Sequence, residues 1–218
     1  MSSDQEYIED VKGDDASVQS DDLPNENVRL LMKTNSLRNN VIECDSLGFH
    51  YQVSTDTSGI KATRSTFISK LIPSTDEQIP LAEWKRKLSG RDTIKLSREL
   101  TPGGSSPPDF VPTKEYLRRP KFSFHLKACN AFNFMFTAKN GKSYTWKIKL
   151  TTLKLHCDES DKVIVKYHFP RYLINKRSGS LELICDWEDI LDDIVVSFVV
   201  MEKLRREEER AIAAAAAS

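Results

Sequence analysis

A chain of 218 residues with 32 basic and 32 acidic residues has no net charge, which speaks against a nucleic-acid binder that works through an overall basic field. Its four cysteines, Cys44, Cys129, Cys157 and Cys185, form no C-x-x-C pair, and no apolar run follows the initiator Met. Reduced thiols in an intracellular protein, cytoplasmic or nuclear, are therefore expected.

Along the chain, residues 1–36 read as an acidic N-terminal tail. Within about the first 27 of these residues Asp4, Glu6, Glu9, Asp10, Asp14, Asp15, Asp21, Asp22 and Glu26 are opposed only by Lys12, and so polar a segment has too little apolar surface to offset its ordering entropy, which predicts disorder. Residues 37–210 read as one domain, since the apolar segments all follow about residue 41. Leu47, Phe49, Tyr51 and Val53 alternate with polar partners and predict the first core strand. Thr66-Phe-Ile68, Ile79 to Trp84 and Thr93 to Leu96 are shorter strand candidates, with Pro80 putting its strand at an edge or a strand start. Residues 98–113 contain Thr101-Pro-Gly-Gly-Ser-Ser-Pro-Pro-Asp109 and predict a loop.

The second half alternates more clearly. Phe122, Phe124 and Leu126, then Phe132, Phe134 and Phe136, lead to Asn140-Gly141, a strong hairpin signal. Tyr144, Trp146 and Ile148 return from it, followed by Leu153, Leu155 and Cys157, then Val163, Val165 and Tyr167, then Leu181, Leu183 and Cys185. The cysteines fall in phase with the leucines and read as small buried hydrophobes. Asp186 to Asp189 place negative charge where a helix N-terminus favours it.

The stretch from Ile190 to Met201 is apolar nearly all round, and a helix without a polar stripe belongs inside a core or a membrane. It falls short of the roughly 20 residues that span a bilayer, and Asp192 and Asp193 interrupt it, so no transmembrane span is expected. A helix over about 188–210, enclosed by a β-barrel, is the predicted arrangement. Its charged end, Arg205 to Arg210, is expected to lie beyond the barrel, and residues 211–218 form an Ala-rich tail.

Chemical motifs are sparse. G-x-S-x-G, H-E-x-x-H and the P-loop are absent, Asn140-Gly-Lys-Ser143 lacks the upstream glycine of a phosphate cradle, and no enzyme is expected. His50, His125, His156 and His168 are scattered, without the spacing of a zinc site, so neither a metal nor a cofactor is expected. The most suggestive constellation is cationic. Lys147 and Lys149 point away from the Tyr144/Trp146/Ile148 face, and Lys154 and Lys166 on the next two strands do the same. Like charges facing each other across strands are mildly destabilising, so an outer cluster of this kind suits an anion. The plainer reading is a solvated sheet exterior whose lysines discourage edge pairing. Lys85-Arg-Lys87 and Arg118-Arg-Pro-Lys121 are shorter basic clusters with the same two readings, and neither has the aromatic interleaving that accompanies single-stranded nucleic acid.

From Phe132 onward the order of an aromatic strand, Asn140-Gly141, Tyr144-Thr-Trp146-Lys147, Leu-x-Leu, Lys166-Tyr-His168, Leu181-Glu-Leu183 and Ile190 to Arg206 resembles an uncharacterised fungal domain of unknown function grouped with tubby-like and LURP-one-related proteins. Ala82-Glu-Trp84, Asp92-Thr-Ile94 and Glu115-Tyr-Leu-Arg118 are similar in kind, so the resemblance covers about residues 40 to 208. It implies a mainly β, tubby-like fold, a closed antiparallel barrel with the hydrophobic C-terminal helix through its centre. It brings no activity with it, and relatives by fold that bind phosphoinositides are only an analogy. The expected function is thus a non-enzymatic binding module for anionic phospholipid or phosphoinositide headgroups through Lys147, Lys149, Lys154 and Lys166. The alternative is a protein-interaction domain using the Pro-rich loop and the exposed helix tail.

Overall fold

Alternation of buried and exposed side chains governs the chain from residue 29 onward, and every strand pairing it produces is antiparallel. The computed structural model describes residues 28–56, 63–87, 90–97, 100–101, 109–119, 133–149, 152–171 and 177–217. The predicted strand at Phe122–Leu126 and Phe132, the first residue of the next, lie outside them, as do Cys129, His125 and residues 1–27.

A first meander comprises β1 (Arg29–Met32), β2 (Asn40–Cys44), β3 (Phe49–Thr55), β4 (Thr63–Ile72), β5 (Glu77–Lys87), β6 (Thr93–Leu96) and β7 (Val111–Pro112), followed by a one-turn helix, α1 (Thr113–Tyr116). A second comprises β8 (Phe134–Thr137), β9 (Ser143–Lys149), β10 (Thr152–Cys157), β11 (Val163–His168) and β12 (Ser180–Leu183). A short 3-10 turn then leads into α2 (Leu191–Ala216). Pairing of β1 with β12 joins the meanders into one sheet of 12 strands, in the order β7-β6-β5-β4-β3-β2-β1-β12-β11-β10-β9-β8.

This sheet is open, where a closed barrel is the expectation. β7 and β8 are its edges, and the only backbone pairing between its two ends among the described residues is a single bridge. In it, Arg118 and Met135 exchange backbone hydrogen bonds of 2.8 and 2.7 Å. The sheet nevertheless surrounds α2. Ile194 to Glu202 are nine consecutive residues without solvent exposure, and as successive helical positions step by about 100°, every side of the helix is covered. Phe198 packs on Trp146 of β9 and Tyr167 of β11, with ring centroids 5.7 and 4.8 Å away. The Trp146 indole N–H donates to Ser197 Oγ at 3.1 Å, and Ser197 in turn donates to the Ile194 carbonyl at 3.1 Å. Two polar groups inside the core are satisfied in this way.

Several boundaries move. The domain starts at least as early as residue 29, not 37, because β1 sits between β2 and β12 with Leu30 and Met32 buried. Pro80 lies inside β5, which β4 and β6 flank, but β6 pairs only with Ala82 to Lys85, so Pro80 has a strand partner on the β4 side alone. The register there passes from Ile68↔Ala82 to Ser69↔Pro80, so Leu81 is the extra residue of a bulge, one of the few places inside a sheet that tolerates proline. Residues 111–113, expected in the loop, form β7 and open α1. The Ala-rich segment is helical through Ala216, since alanine is the strongest helix former and the exposed last turns need no packing partner. The hairpin at Asn140-Gly141 forms as predicted, with Gly141 at φ 80°, where a side chain would be strained.

Candidate anion-binding surface and cavities

Strand register decides where the four candidate lysines stand. Lys147 on β9 lies directly opposite Lys154 on β10, and Lys154 directly opposite Lys166 on β11. The row continues to Glu182 on β12 and Arg29 on β1. Three lysines thus occupy successive positions on the outer face, where like charges directly opposite are unfavourable. Carboxylates bracket them. The Lys147 ammonium donates to Asp161 Oδ1 at 2.6 Å, and this contact is the main reason the exposed Asp161 carboxyl is held below its ordinary range. At the other end Glu182 meets His168 Nε2 at 2.5 Å and lies 3.8 Å from Arg29. Neither Lys154 nor Lys166 has a described carboxylate within 4 Å. Lys149 stands opposite Thr152; its side chain is outside the described residues.

Where α2 leaves the sheet, two cavities flank it and share Arg206 and Arg210. The larger, about 780 Å³, is lined by Lys166 from the outer row, His168, Arg171, Arg177 and Arg205, with Glu202 and Glu209 as its carboxylates. Glu202 is fully buried and accepts from Arg205 Nε and Nη2 at 2.6 and 2.8 Å and from Arg206 Nε at 2.8 Å, while Arg205 also bonds Glu209. With the shared Arg206 and Arg210, this cavity has six lysines and arginines against these two carboxylates.

The smaller cavity, about 460 Å³, is the more unbalanced of the two. Arg38, Arg64, Arg86, Lys203, Arg206 and Arg210 line it against one carboxylate, Glu207. Glu207 is held by Arg86, with Nη2 to Oε2 at 2.6 Å, and Asp92 lies 3.3 Å from the same guanidinium. Lys203 is only 9% exposed, and its ammonium donates to hydroxyls, Thr66 Oγ1 at 2.9 Å and Thr55 Oγ1 at 3.3 Å, above the Trp84 ring. Burial, with Arg86 and Arg38 nearby, pulls its pKa down to about 8 against the weaker opposing pull of Glu207.

Nine of the 32 acidic residues but only one of the 32 basic residues fall within residues 1–27. The remaining chain has 31 basic and 23 acidic residues, a net charge of +8. A protein neutral as a whole therefore carries a cationic domain.

A family model described as "Family of unknown function (DUF6593)" matches residues 35–207. The chain belongs to this family. No curated protein and no solved structure matches it. The DUF6593 span includes the whole lysine row and every residue lining the smaller cavity except Arg210. Among the described residues of this DUF6593 protein, no group of three or more His, Cys, Asp and Glu side chains could hold a metal ion. Likewise no described helix is long and apolar enough to cross a membrane.

The smaller cavity is what sequence reasoning missed. Of its cations only Arg86, in Lys85-Arg-Lys87, belongs to a cluster visible along the chain. Arg205 to Arg210, expected to lie beyond the sheet, instead begins inside it: Arg205 is buried, and Glu208 contacts Arg119. The cysteine reading fares better, with Cys44 and Cys157 buried and Cys185 half-buried, its thiol donating to the Val163 carbonyl at 3.3 Å.

Proposed function

We propose that the domain is a non-enzymatic binding module for anionic phospholipid headgroups, lying peripherally on a membrane surface inside the cell and meeting it through Lys147, Lys149, Lys154 and Lys166. The observation that carries this reading is the cross-strand register, which sets Lys147, Lys154 and Lys166 side by side on three neighbouring strands. An arrangement that is unfavourable in isolation becomes favourable against a negative surface. The +8 charge of residues 28–218 supports the same reading. As to the fold, we take the sheet to be tubby-like and curled shut around α2. The all-round burial of the helix and the Arg118–Met135 bridge between the two sheet ends support that view.

The test is cosedimentation of the full chain with phosphatidylcholine vesicles with and without phosphatidylserine, over a range of salt. Each lysine at an anionic surface contributes about 1 kcal/mol, so four amount to about 4 kcal/mol, or about a thousandfold in partitioning. Binding is expected only with phosphatidylserine, falling as salt rises and lost when the four lysines are changed together to Glu in a protein that still folds. Unchanged binding by that variant would move the contact elsewhere. A wild-type chain that ignores anionic vesicles would favour the protein-interaction reading, for which Ile212, a large apolar side chain exposed on the last turns of α2, is the supporting observation.

A further inference from the structure

The smaller cavity differs from the lysine row in every respect that matters for a ligand. It is concave, its floor is buried, and its charges converge from separate parts of the chain. Arg38 comes from the β1–β2 connection, Arg64 from β4, Arg86 from β5, and Lys203, Arg206 and Arg210 from three positions on α2. On the strands, Arg64 lies directly opposite Arg86, a like-charge pair that only Arg86 relieves, through Glu207 and Asp92. Arg206 is occupied by Glu202 and by the Asn35 carbonyl at 2.5 Å. Arg38, Arg64, Lys203 and Arg210 have no carboxylate partner within 4 Å among the described residues, while Thr55 and Thr66 place hydroxyls beside the Lys203 ammonium.

We propose that this cavity is a binding site for a compact phosphate-class anion, with Lys203, Thr55 and Thr66 at its floor and Arg38, Arg64 and Arg210 around its mouth. Guanidinium groups match phosphate oxygens bidentately, and a buried ammonium adds a point charge where water screens it least. A cavity of about 460 Å³ lies within the usual range for small-molecule sites and exceeds what a single phosphate group needs. The ligand is therefore a phosphorylated small molecule or the polyphosphorylated headgroup of a lipid. Larger nucleic acids are disfavoured because the cations converge on a pit rather than track along a groove.

Lys203 also supplies a signature that surface binding lacks. Its ammonium faces Arg86 of β5, Arg38 of the β1–β2 connection and Glu207 of its own helix, with Thr55 and Thr66 from β3 and β4. A bound anion favours the protonated form, so affinity should weaken as pH rises above about 8.

The experiment is calorimetric titration of the full chain with pyrophosphate and with inositol trisphosphate, beside cosedimentation with phosphatidylcholine vesicles containing phosphatidylinositol bisphosphate. The expected result is saturable binding of at least one soluble anion. It should be weakened at least tenfold by Arg64→Gln together with Lys203→Met, and lowered further above pH 8 in the wild type only. Arg64 is exposed, so Arg64→Gln alone keeps the test informative if the double variant does not fold; it should weaken binding severalfold. Changing Lys147, Lys154 and Lys166 to Gln should leave the soluble titration unaltered, which separates this site from the membrane-facing row. Vesicle recruitment competed away by inositol trisphosphate identifies a lipid headgroup, and soluble binding without recruitment identifies a free phosphorylated compound. No saturable binding of either soluble anion, or equal binding by wild type and the Arg64→Gln variant, overturns the proposal.

Discussion

Asp193 is almost fully buried in the first turn of α2, and its only hydrogen-bond donor from outside the helix among the described residues is the Lys139 backbone N–H at 3.5 Å. Burial therefore dominates and pushes its pKa up to about 7, with neighbouring Asp192 adding to the rise. In the unfolded chain the group titrates near 3.8. Between those values the folded state holds the extra proton, so stability falls as pH rises across that window, and above about 7 the whole penalty is present. Three pKa units correspond to about 4 kcal/mol. Asp193→Asn should thus stabilise the domain by up to about 4 kcal/mol at pH 8 and by little at pH 4, read from urea unfolding at both; equal effects at the two pH values would refute this. Lys203 is the converse case. Its pKa is lowered from 10.5 to about 8, so its cost, about 3 kcal/mol, is present at neutral pH and fades only between about 8 and 10.5. A buried cation with that cost and no carboxylate within 4 Å among the described residues accords with the anion site proposed above.

Among the elements, β1 decides where the domain begins. Four residues, Arg29-Leu-Leu-Met32, pair on both sides and bury Leu30 and Met32. Each such side chain contributes about 1.5–3 kcal/mol, before two ladders of hydrogen bonds are counted, against a total stability of about 5–15 kcal/mol. Removing residues 1–27 should shift the thermal midpoint by less than about 5 °C, whereas removing residues 1–36 should abolish the cooperative transition. A domain that unfolded at the wild-type temperature without β1 would contradict the sheet order. The strand was illegible because four residues after an acidic segment give too short a period to register. β8 and β10, by contrast, were legible from Phe134, Phe136, Leu153 and Leu155, whose strict alternation matches their burial.

For the whole molecule, α2 is the common contact of both meanders: Phe198 meets β9 and β11, Lys203 meets β3 and β4, and Glu207 meets β5. Phe198→Asp would put a carboxylate between Trp146 and Tyr167, at a cost of several kcal/mol, and should leave the domain unfolded or insoluble. A soluble variant with an unchanged unfolding midpoint would mean that the helix is not central. That centrality was readable from Ile190 to Met201 alone, because an apolar surface on all sides of a helix has to be covered whatever covers it. Strand existence was readable for the same local reason, the period of two that a half-buried strand imposes. Pairing partners are not local. Only the register brought Lys147, Lys154 and Lys166 into one row, and only the exit of α2 between the β1–β2 connection and the ends of β3 to β5 gathered Arg38, Arg64, Arg86, Lys203, Arg206 and Arg210 around one cavity. Sequence spacing carries the chemistry of each of those side chains, but a charge takes its meaning from the charges near it in space, and those the tertiary structure alone selects.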